Sequence, residues 1–544
     1  MIGLALRIAR ANPFFMVGLM KEQVENIFPV SCTHLPEAIV GSVSSAPIWS
    51  DADSFIEQVE LLAKSTDVPA YLPDLARAER ARQELGKGNQ QIPLEQPDDS
   101  VAVNPTLMVT EVGWQPLLAL LDGANIKPEP SPQILLFWQH PVNGTPEMTA
   151  ASPAELLALK IVAEQLEPID VAASYNQPVG VIDGAVDSAI RKGLLLSPPS
   201  KLHRETSESQ TSTSAVGAFI EAEVFTLQWH VTHRCDLHCR HCYDRSDRKD
   251  VDLKQGLRIL DQMRQFCRDH HVAGQVSFSG GNPFLHPGFP ELYQAAHDRN
   301  LNIAILGNPV SEEQIDTILQ VVKPAFFQVS LEGLEEHNDQ IRGKGSFQAV
   351  LEFLKLLKQK QIYSMVMLTL TRGNIDQVLP LAETLRDRVD LFTYNRLAMV
   401  GEGANLESPQ PDEYHRFVID YLEARRSNPI MAVKDSLINI QLEQQQHKLF
   451  GGCTGFGCGA AFNFVSLLPD GQVHACRKFP SLIGDLNRQT LHDVYHSPDA
   501  QKYRQGCHEC SACRLRLACG GCLAVTHGWG RDPFVERDPD CFIT

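Results

Sequence analysis

The sequence has no long apolar run and no excess of positive charge. No uninterrupted apolar stretch reaches the roughly 18 residues of a membrane-spanning helix. Arg7, Arg10 and Pro13 interrupt the apolar beginning of the chain, so we expect no secretory signal. Lys and Arg number 48 against 66 Asp and Glu, a formal charge of −18, whereas nucleic-acid binding needs a basic surface. We therefore expect neither a membrane nor a nucleic acid as partner.

Length and cysteine distribution indicate a globular protein of several domains with metal or redox sites. The 544 residues are 43% hydrophobic and 21% charged, which is typical of soluble chains and sufficient for three or four domains. Of the 14 cysteines, most fall in two groups, 235–242 and 453–541. Clustered cysteines in a chain without an export signal indicate metal or redox sites rather than disulfides. We expect a cytoplasmic location.

The first cysteine group is one loop, Cys235-Asp-Leu-His-Cys239-Arg-His-Cys242-Tyr243. A β-like run at 225–231 (FTLQWHV) leads into it. Three thiolates suit an iron–sulfur cluster, and because a [4Fe–4S] cluster held by protein alone needs four, one iron would stay open to a small molecule. The alternative is zinc bound by these cysteines with His238 or His241.

Strands and helices alternate from 223 to about 430. Six apolar runs are predicted strands: 225–231, 275–279, 302–306, 325–331, 362–370 and 390–397. Helical patterns lie between them, as at 347–358 and 377–386. Six such units predict a parallel α/β barrel or a doubly wound sheet. In barrels the chemistry lies beyond the C-terminal ends of the strands.

The cysteine loop resembles the signature of the radical S-adenosylmethionine (SAM) family, in which this spacing is followed by an aromatic residue, here Tyr243. The resemblance implies a partial (β/α)6 TIM-type barrel and a [4Fe–4S] cluster on Cys235, Cys239 and Cys242. The open iron would chelate SAM, and one electron would cleave SAM to a 5′-deoxyadenosyl radical. The cofactor supplies the radical chemistry, and the protein supplies its placement.

Later strand ends match further motifs of that family. Gly280–Pro283 resembles Gly-Gly-Glu-Pro, whose loop contacts the methionine amine; its glycines allow close approach to a ligand. Asn282 replaces the acid, and an amide accepts the same hydrogen bond without charge. Ser330 begins Ser-Leu-Glu-Gly, which matches Ser-Leu-Asp-Gly and implies contact with the ribose or the methionine carboxylate. The resemblance implies SAM-site residues Tyr243, Gly280, Gly281, Asn282, Pro283, Asn308, Ser330 and Arg342.

Nine further cysteines lie between 453 and 541. Their spacing resembles the SPASM extension of radical SAM enzymes, which holds two auxiliary [4Fe–4S] clusters, so three clusters are expected in all. Position by position, the resemblance assigns two ligand sets: Cys453, Cys458, Cys476 and Cys522; and Cys510, Cys513, Cys519 and Cys541. The family's last short gap is three residues, and here it is two. A zinc ribbon at 510–522 is the alternative, and Cys507 is interpreted as inert.

The segment 101–197 predicts a winged-helix-like fold. Ser152 is a predicted N-cap with Glu155 three positions later. A second helical pattern begins at residue 180 and stops at Gly193, and a Gly-Leu-Leu strand follows. Such a fold binds DNA or a peptide, and the acidic charge favours the peptide. The segment resembles the leader-peptide recognition element of peptide-modifying enzymes, in which the leader adds to a sheet edge through main-chain hydrogen bonds.

We interpret the chain as a radical SAM/SPASM oxidoreductase that modifies a peptide. Its expected parts are a helical domain at 1–100, a winged-helix-like domain at 101–197, a linker at 198–222, the barrel at 223–430 and the SPASM domain at 431–544. The layout most resembles maturases of selenobiotic, or thio(seleno)oxazole, peptides. That resemblance implies a ribosomally made precursor rich in Cys or selenocysteine, oxidative bond formation, and a one-electron donor such as flavodoxin or ferredoxin.

Two other functions stay open at this point. One is a SPASM maturase of a protein such as a sulfatase or an amine dehydrogenase. In sulfatase maturases an aspartate base follows the cysteine equivalent to Cys476, and here that position is Arg477, which cannot act as a base. The other is an iron–sulfur regulator that binds DNA through the winged helix. The sequence assigns no catalytic residue.

Overall fold

The computed structural model describes residues 27–35, 52–64, 68–87, 95–204 and 218–543. The chain forms two compact units, one of residues 1–177 with 182–199 and the other of residues 200–544 with 178–181. Two sequence predictions fall partly outside the described residues. These are the helical domain, at 1–26, 36–51, 65–67 and 88–94, and the linker, at 205–217. No helix in the described part of the chain combines the length and the apolar character needed to cross a membrane.

The first unit combines helices with a small antiparallel sheet. Its helices are α1 (Pro29–Thr33), α2 (Ala52–Ala63), α3 (Leu72–Lys87), α4 (Leu117–Leu121), α5 (Pro153–Ala163), α6 (Pro168–Tyr175) and α7 (Val179–Arg191). Its strands are β1 (Ala102–Val103), β2 (Met108–Gln115), β3 (Glu129–Gln139), β4 (Pro146–Ala150) and β5 (Leu195–Leu196). The sheet order is β2-β3-β4, and β1 pairs separately with β5.

The winged-helix prediction located the helices but missed most of the sheet. Ser152 Oγ accepts a hydrogen bond from the Glu155 N–H, and the Glu155 carboxylate accepts one from the Ser152 N–H, so the predicted capping box is confirmed. The sequence predicts an apolar strand at 133–138 besides the Gly-Leu-Leu strand, because only this part of β3 is a continuous apolar run. Strands β2 and β4 are half-exposed and mixed in character. Helix α6, between the two predicted helices, was not foreseen.

Residues assigned to two domains share one hydrophobic core in this unit. Phe55 of α2 and Leu75 of α3 are fully buried, as is Phe137 of β3, and all three belong to the same cluster. Helix α3 therefore packs on the sheet, and the expected boundary near residue 100 does not separate two cores.

The second unit is built on a nine-stranded sheet flanked by helices. Its strands are β6 (Val224–Thr232), β7 (Ala273–Gly280), β8 (Asn302–Leu306), β9 (Phe326–Ser330), β10 (Ser364–Leu370), β11 (Leu391–Arg396), β12 (Phe464–Leu467), β13 (Gln472–His474) and β14 (Leu482–Asp485). Its helices are α8 (Leu253–Asp269), α9 (Phe289–His297), α10 (Glu312–Leu319), α11 (Glu335–Arg342), α12 (Ser346–Gln359), α13 (Val378–Leu385), α14 (Pro411–Arg425), α15 (Ile438–Gln444), α16 (Leu491–Tyr495), α17 (Pro498–Gln505) and α18 (Leu523–Gly528).

The strand order confirms the predicted fold class. Strands β6 to β11 lie side by side in sequence order, and every neighbouring pair among them is parallel. This is the (β/α)6 partial barrel, with helices between successive strands. Strand β12 adds to β6 in parallel, and β13 and β14 continue the sheet as an antiparallel extension. The C-terminal cysteine region is thereby joined to the barrel sheet.

The described ends of the predicted linker are packed rather than free. Leu202 is 1% exposed and Ala222 is fully buried. The Ala222 N–H donates to the Leu202 carbonyl at 3.0 Å, and His203 pairs with Glu221 in an antiparallel bridge. Both ends therefore belong to the core of the second unit.

Candidate cofactor-binding site

The C-terminal ends of the barrel strands open into a cavity of about 780 Å³. Because parallel strands all end at the same edge of the sheet, their terminal residues converge there. The predicted site residues that line the cavity are Cys235, Cys239, Cys242, Tyr243, Gly280, Gly281, Asn308, Ser330 and Arg342. Asn282 and Pro283 do not line it.

The three loop cysteines are free thiols at the wall of this cavity. Cys235 is exposed, and its Sγ accepts hydrogen bonds from the Leu237 N–H and from Asn308 Nδ2, each at 3.5 Å. Burial raises the pKa of the Cys239 thiol, while the neighbouring Arg342 acts to lower it. Burial also raises the pKa of Cys242. Three converging sulfurs with nearby N–H donors and a cation fit the chemistry of a thiolate-bound iron–sulfur cluster.

The glycine pair lies against the backbone of the cysteine loop. The family resemblance predicts that Gly280 and Gly281 also let a ligand approach closely, and both line the cavity. A Cβ on Gly280 would lie 2.0 Å from the Thr232 carbonyl oxygen, and one on Gly281 would lie 2.0 Å from that of Arg234. Gly280 also has a φ of +129°, which side chains disfavour. The glycines therefore admit the backbone of the cysteine loop itself.

Asn282 supports the wall of the site instead of facing the cavity. Asn282 is only 3% exposed. Its Oδ1 caps the short turn at 283–285 by accepting from the Phe284 N–H at 3.3 Å, and its Nδ2 donates to Asp236 Oδ1 at 3.3 Å. Pro283 is buried at the start of the same turn. The motif thus braces the cysteine loop through Asp236.

Arg342 is the centre of a buried polar network. Its guanidinium donates to Glu332 Oε1 at 3.0 Å and to Asn308 Oδ1 at 3.2 Å, and Asn308 Nδ2 donates to Asp236 Oδ1 at 2.7 Å. Burial acts to lower the pKa of Arg342, but the nearby Cys239 and Glu332 raise it above its usual value. This fixed cation lies beside the cysteine loop, where it favours negatively charged thiolates.

Sequence reasoning missed Glu332, which anchors that network. The residue is 1% exposed, and its carboxylate accepts from the Thr369 N–H at 2.8 Å as well as from Arg342. His241 Nε2 lies 3.4 Å from the same carboxylate. Glu332 is the acid of the Ser-Leu-Glu-Gly motif, so its position was visible in the sequence. Its partners were not, because they come from different strands and loops.

Tyr243 and His230 form a second pair in the cavity wall. The Tyr243 hydroxyl lies 3.3 Å from His230 Nε2. Burial raises the pKa of Tyr243 to about 12. Burial, together with the positive charge of Arg477, holds the pKa of His230 well below its ordinary value. A protonated phenol therefore faces a neutral imidazole at neutral pH, and neither adds a charge to the site.

Cysteines of each set implied by the family resemblance lie near one another. Cys510, Cys513, Cys519 and Cys541 line one small cavity. In the other set, Cys453 and Cys458 influence the pKa of Cys476, and Cys458 influences that of Cys522. Burial raises the pKa of Cys476 to about 11 and of Cys522 to about 12. Free thiols in groups of four, partly or fully buried, are a donor set that suits a cluster closed by protein ligands.

Cys507 lies next to the second set without completing it. It is 5% exposed, and its thiol donates to the Val535 carbonyl at 3.3 Å. It does contribute to raising the pKa of Cys510. A thiol satisfied by a backbone carbonyl has the contacts expected of an inert buried cysteine.

Two family models match this unit. Residues 229–385 match the radical SAM superfamily, and residues 458–519 match the iron–sulfur cluster-binding domain SPASM. The chain therefore carries a radical SAM domain followed by a SPASM domain. Such domains use [4Fe–4S] clusters and SAM, which the free cysteines and the cavity described above fit.

Similar proteins have diverse products. The antilisterial bacteriocin subtilosin biosynthesis protein AlbA of Bacillus subtilis is 25% identical over 311 residues, which are 54% of this chain and 65% of AlbA. The AdoMet-dependent heme synthase of Methanosarcina barkeri is 22% identical over 342 residues, or 58% of this chain and 95% of that protein. The chain thus spans just under two thirds of AlbA.

Among solved structures, Streptococcus suis SuiB bound to the precursor peptide SuiA is similar in fold. The TM-score is 0.50 at 16% identity, and the match covers 75% of this chain and 96% of SuiB. That share is larger than residues 200–544 could supply, so the likeness in fold extends into the first unit.

Proposed function

We propose that this enzyme is a peptide maturase, an oxidoreductase that modifies a ribosomally made precursor peptide. Cluster and SAM together would supply a 5′-deoxyadenosyl radical that abstracts hydrogen from the peptide, and oxidative bond formation would follow. The selenobiotic, or thio(seleno)oxazole, resemblance points to a precursor rich in Cys or selenocysteine. Reduction needs a one-electron donor such as flavodoxin or ferredoxin. Two similar proteins support this substrate class: AlbA is named as a bacteriocin biosynthesis protein, and SuiB was solved with the precursor peptide SuiA.

The observation that carries the peptide proposal is the open sheet in the first unit. Strand β4 pairs with β3 on one side only and ends the three-stranded sheet within the described residues. Such an edge presents unpaired main-chain N–H and C=O groups that an extended peptide can pair with. A catalytic barrel for a small metabolite does not need a separate module of this kind.

We assign the cluster ligands as follows. The SAM-binding cluster would be held by Cys235, Cys239 and Cys242, and the two auxiliary clusters by the two C-terminal sets of four. Gly280 and Gly281 allow the loop to lie against the end of β7, and Asn308 holds it by contacts to Cys235 and Asp236. Arg342 fixes Asn308 in turn by donating to its Oδ1. Ser330 and Tyr243 line the cavity with groups that can contact SAM. Asn282 and Pro283 act only by positioning that loop.

The cavity lacks the base that formylglycine formation would use at residue 477. Arg477 and Lys478 line it, and Arg477 lies near enough to His230 and Tyr243 to influence the pKa of each. Two cations at this wall repel a further proton and attract a negatively charged group. A substrate thiol near them would be favoured as the thiolate, which needs no protein base to attack an oxidised carbon. This supports bond formation to sulfur or selenium over aldehyde formation.

Mass spectrometry of the precursor peptide tests the proposal. Enzyme, reductant and SAM are incubated with a candidate Cys-rich precursor peptide, and the variant with all three loop cysteines changed to alanine is the control. Loss of a hydrogen pair together with protection of one cysteine from alkylation is the expected result. An aldehyde at Ser or Cys, trapped by hydrazine, would overturn the proposed reaction.

The role of the first unit is tested separately. A truncated chain beginning at Ser200, which keeps Leu202 in the core of the second unit, should still cleave SAM without substrate, which reports that the second unit is intact. It should bind the precursor at least tenfold more weakly than the full chain. Equal affinity in the two proteins, with SAM cleavage retained, would show that the first unit is not the recognition element.

A further inference from the structure

Three histidines converge on the second unit, away from the cysteine sites. His270 directly follows α8, while His492 lies in α16 and His496 directly follows it. One ring nitrogen from each lies within 4.8 Å of those of the other two. His270 Nε2 and His496 Nε2 are 3.0 Å apart. Residues more than 220 positions apart in sequence thus bring three imidazoles to one point.

The local structure fixes the rings in this arrangement. His270 is 4% exposed, and its Nδ1 lies 2.8 Å from the Phe266 carbonyl, one turn earlier at the end of α8. With the Nδ1–H donated there, the lone pair of Nε2 points away from the helix toward His496. The Phe266 ring stacks on the His270 ring at 4.0 Å between centroids. Metal-binding histidines commonly donate their second ring N–H to a carbonyl in this way.

The other two histidines complete an open face. Spaced four residues apart, His492 and His496 project from one side of a helical turn, and both are exposed. Their ring centroids are 4.4 Å apart. Three imidazole rings this close offer nitrogen ligands to one cation.

We propose that His270, His492 and His496 form a binding site for one divalent transition-metal ion of the zinc type. Tetrahedral zinc holds imidazole nitrogens at about 2.0–2.1 Å, which places them about 3.4 Å from one another. The observed separations of 3.0 Å and at most 4.8 Å bracket that value, so small ring rotations close the site. Three protein ligands leave the fourth position to water. The ion would join the end of α8, in the barrel, to α16 in the C-terminal region.

Metal retention by the iron-loaded full chain tests the site. Enzyme carrying its full iron content is incubated anaerobically with a small excess of Zn²⁺, passed through a desalting column, and analysed for zinc and iron by mass spectrometry. The wild type should retain about one zinc more per chain than the double variant H492Q/H496Q. Both changes are at exposed positions, so the fold should tolerate them. Equal iron in all samples shows that the cluster cysteines are not the zinc site.

A matched control and a second readout keep the test decisive. His447 is exposed and outside the cluster, so H447Q should retain zinc like the wild type. Zinc should also raise the thermal unfolding midpoint of the wild type and H447Q but leave that of H492Q/H496Q unchanged, because only a native-state site adds stability. Equal zinc retention by wild type and double variant, or none by either at micromolar zinc, overturns the proposal and leaves the histidines as a hydrogen-bonded cluster.

Discussion

Arg396 at the end of β11 is the side chain whose loss should be most damaging. It is the cation between three carboxylates, donating to Asp435 at 2.8 Å, to both oxygens of Asp538 at 2.7 and 2.8 Å, and to Asp540 at 2.7 Å. The side-chain exposures of Arg396, Asp538 and Asp540 are 2%, 1% and 2%. Asp538 Oδ2 also accepts from the Cys522 N–H at 2.8 Å.

The magnitude follows from the loss of the one cation that, among the described residues, forms an ion pair with these three carboxylates. Removing one side of a buried ion pair costs about 3–5 kcal/mol, and R396M strands three acids at once, so the cost should reach the upper end. Domain stabilities are about 5–15 kcal/mol, so this is a large fraction. R396K keeps the charge but loses the planar fork that bonds both Asp538 oxygens, and it should cost about half as much, since each charge-assisted bond contributes about 1.5–3 kcal/mol.

Denaturant unfolding and iron analysis measure this together. We expect the unfolding midpoint to fall in the order wild type, R396K, R396M. Iron should decrease in the same order, because Asp538 accepts hydrogen bonds from the backbone N–H groups of two cluster cysteines, Cys522 and Cys541. Arg426, 63% exposed in a helix-end pair with Glu423, is the matched control, and R426M should change stability by less than about 0.5 kcal/mol. Wild-type midpoint and iron content in R396M would refute the reasoning.

Three further predictions concern the loop, its glycines and the first unit. Replacing the three loop cysteines with alanine should lower iron from about twelve to about eight per chain and abolish SAM cleavage; unchanged cleavage would contradict the assignment. G281A should remove about four irons by displacing the loop, whereas G86A, whose Cβ would meet nothing within 4 Å, should keep them. S152A should cost the first unit about 1 kcal/mol in unfolding experiments. Burial acts to raise the pKa of Glu155, but hydrogen bonds from Lys192 and Ser152 outweigh burial, so the pKa lies below its ordinary value. The resulting stability is present above a pH of about 4.3, is lost as pH falls through the lower folded pKa, and should be absent from E155Q.

The cysteine loop and the barrel were predictable because each depends on local pattern. Apolar runs such as 225–231 and the helical patterns between them specify alternating strands and helices, and the (β/α)6 sheet follows from short connections. Ligand spacing in the loop is a property of adjacent residues. Strand ends in a parallel sheet meet at one edge, so Asn308 and Ser330 were expected near the loop, and the family resemblance implied that Arg342 lies there too.

Predictions failed where a side chain's role depends on what the fold brings next to it. The contacts of Asn282 to Asp236 and to the turn that it caps were not foreseen. Strand β4, with the alternating and partly exposed sequence PEMTA, carried no signal strong enough to be called a strand. Its identity comes from pairing with the buried β3, and edge strands are defined by such neighbours rather than by their own composition.

By itself, the sequence determined the radical SAM and SPASM domains, the fold class and the candidate cluster ligands, because spacing and periodicity are encoded within short segments. Only the tertiary structure decided that Glu332 anchors Arg342, that Arg396 meets three carboxylates from distant segments, and that His270 reaches His496. Those contacts join residues from about 10 to more than 200 positions apart. Long-range charge and hydrogen-bond partners are set by how strands and loops converge, and no local pattern records that convergence.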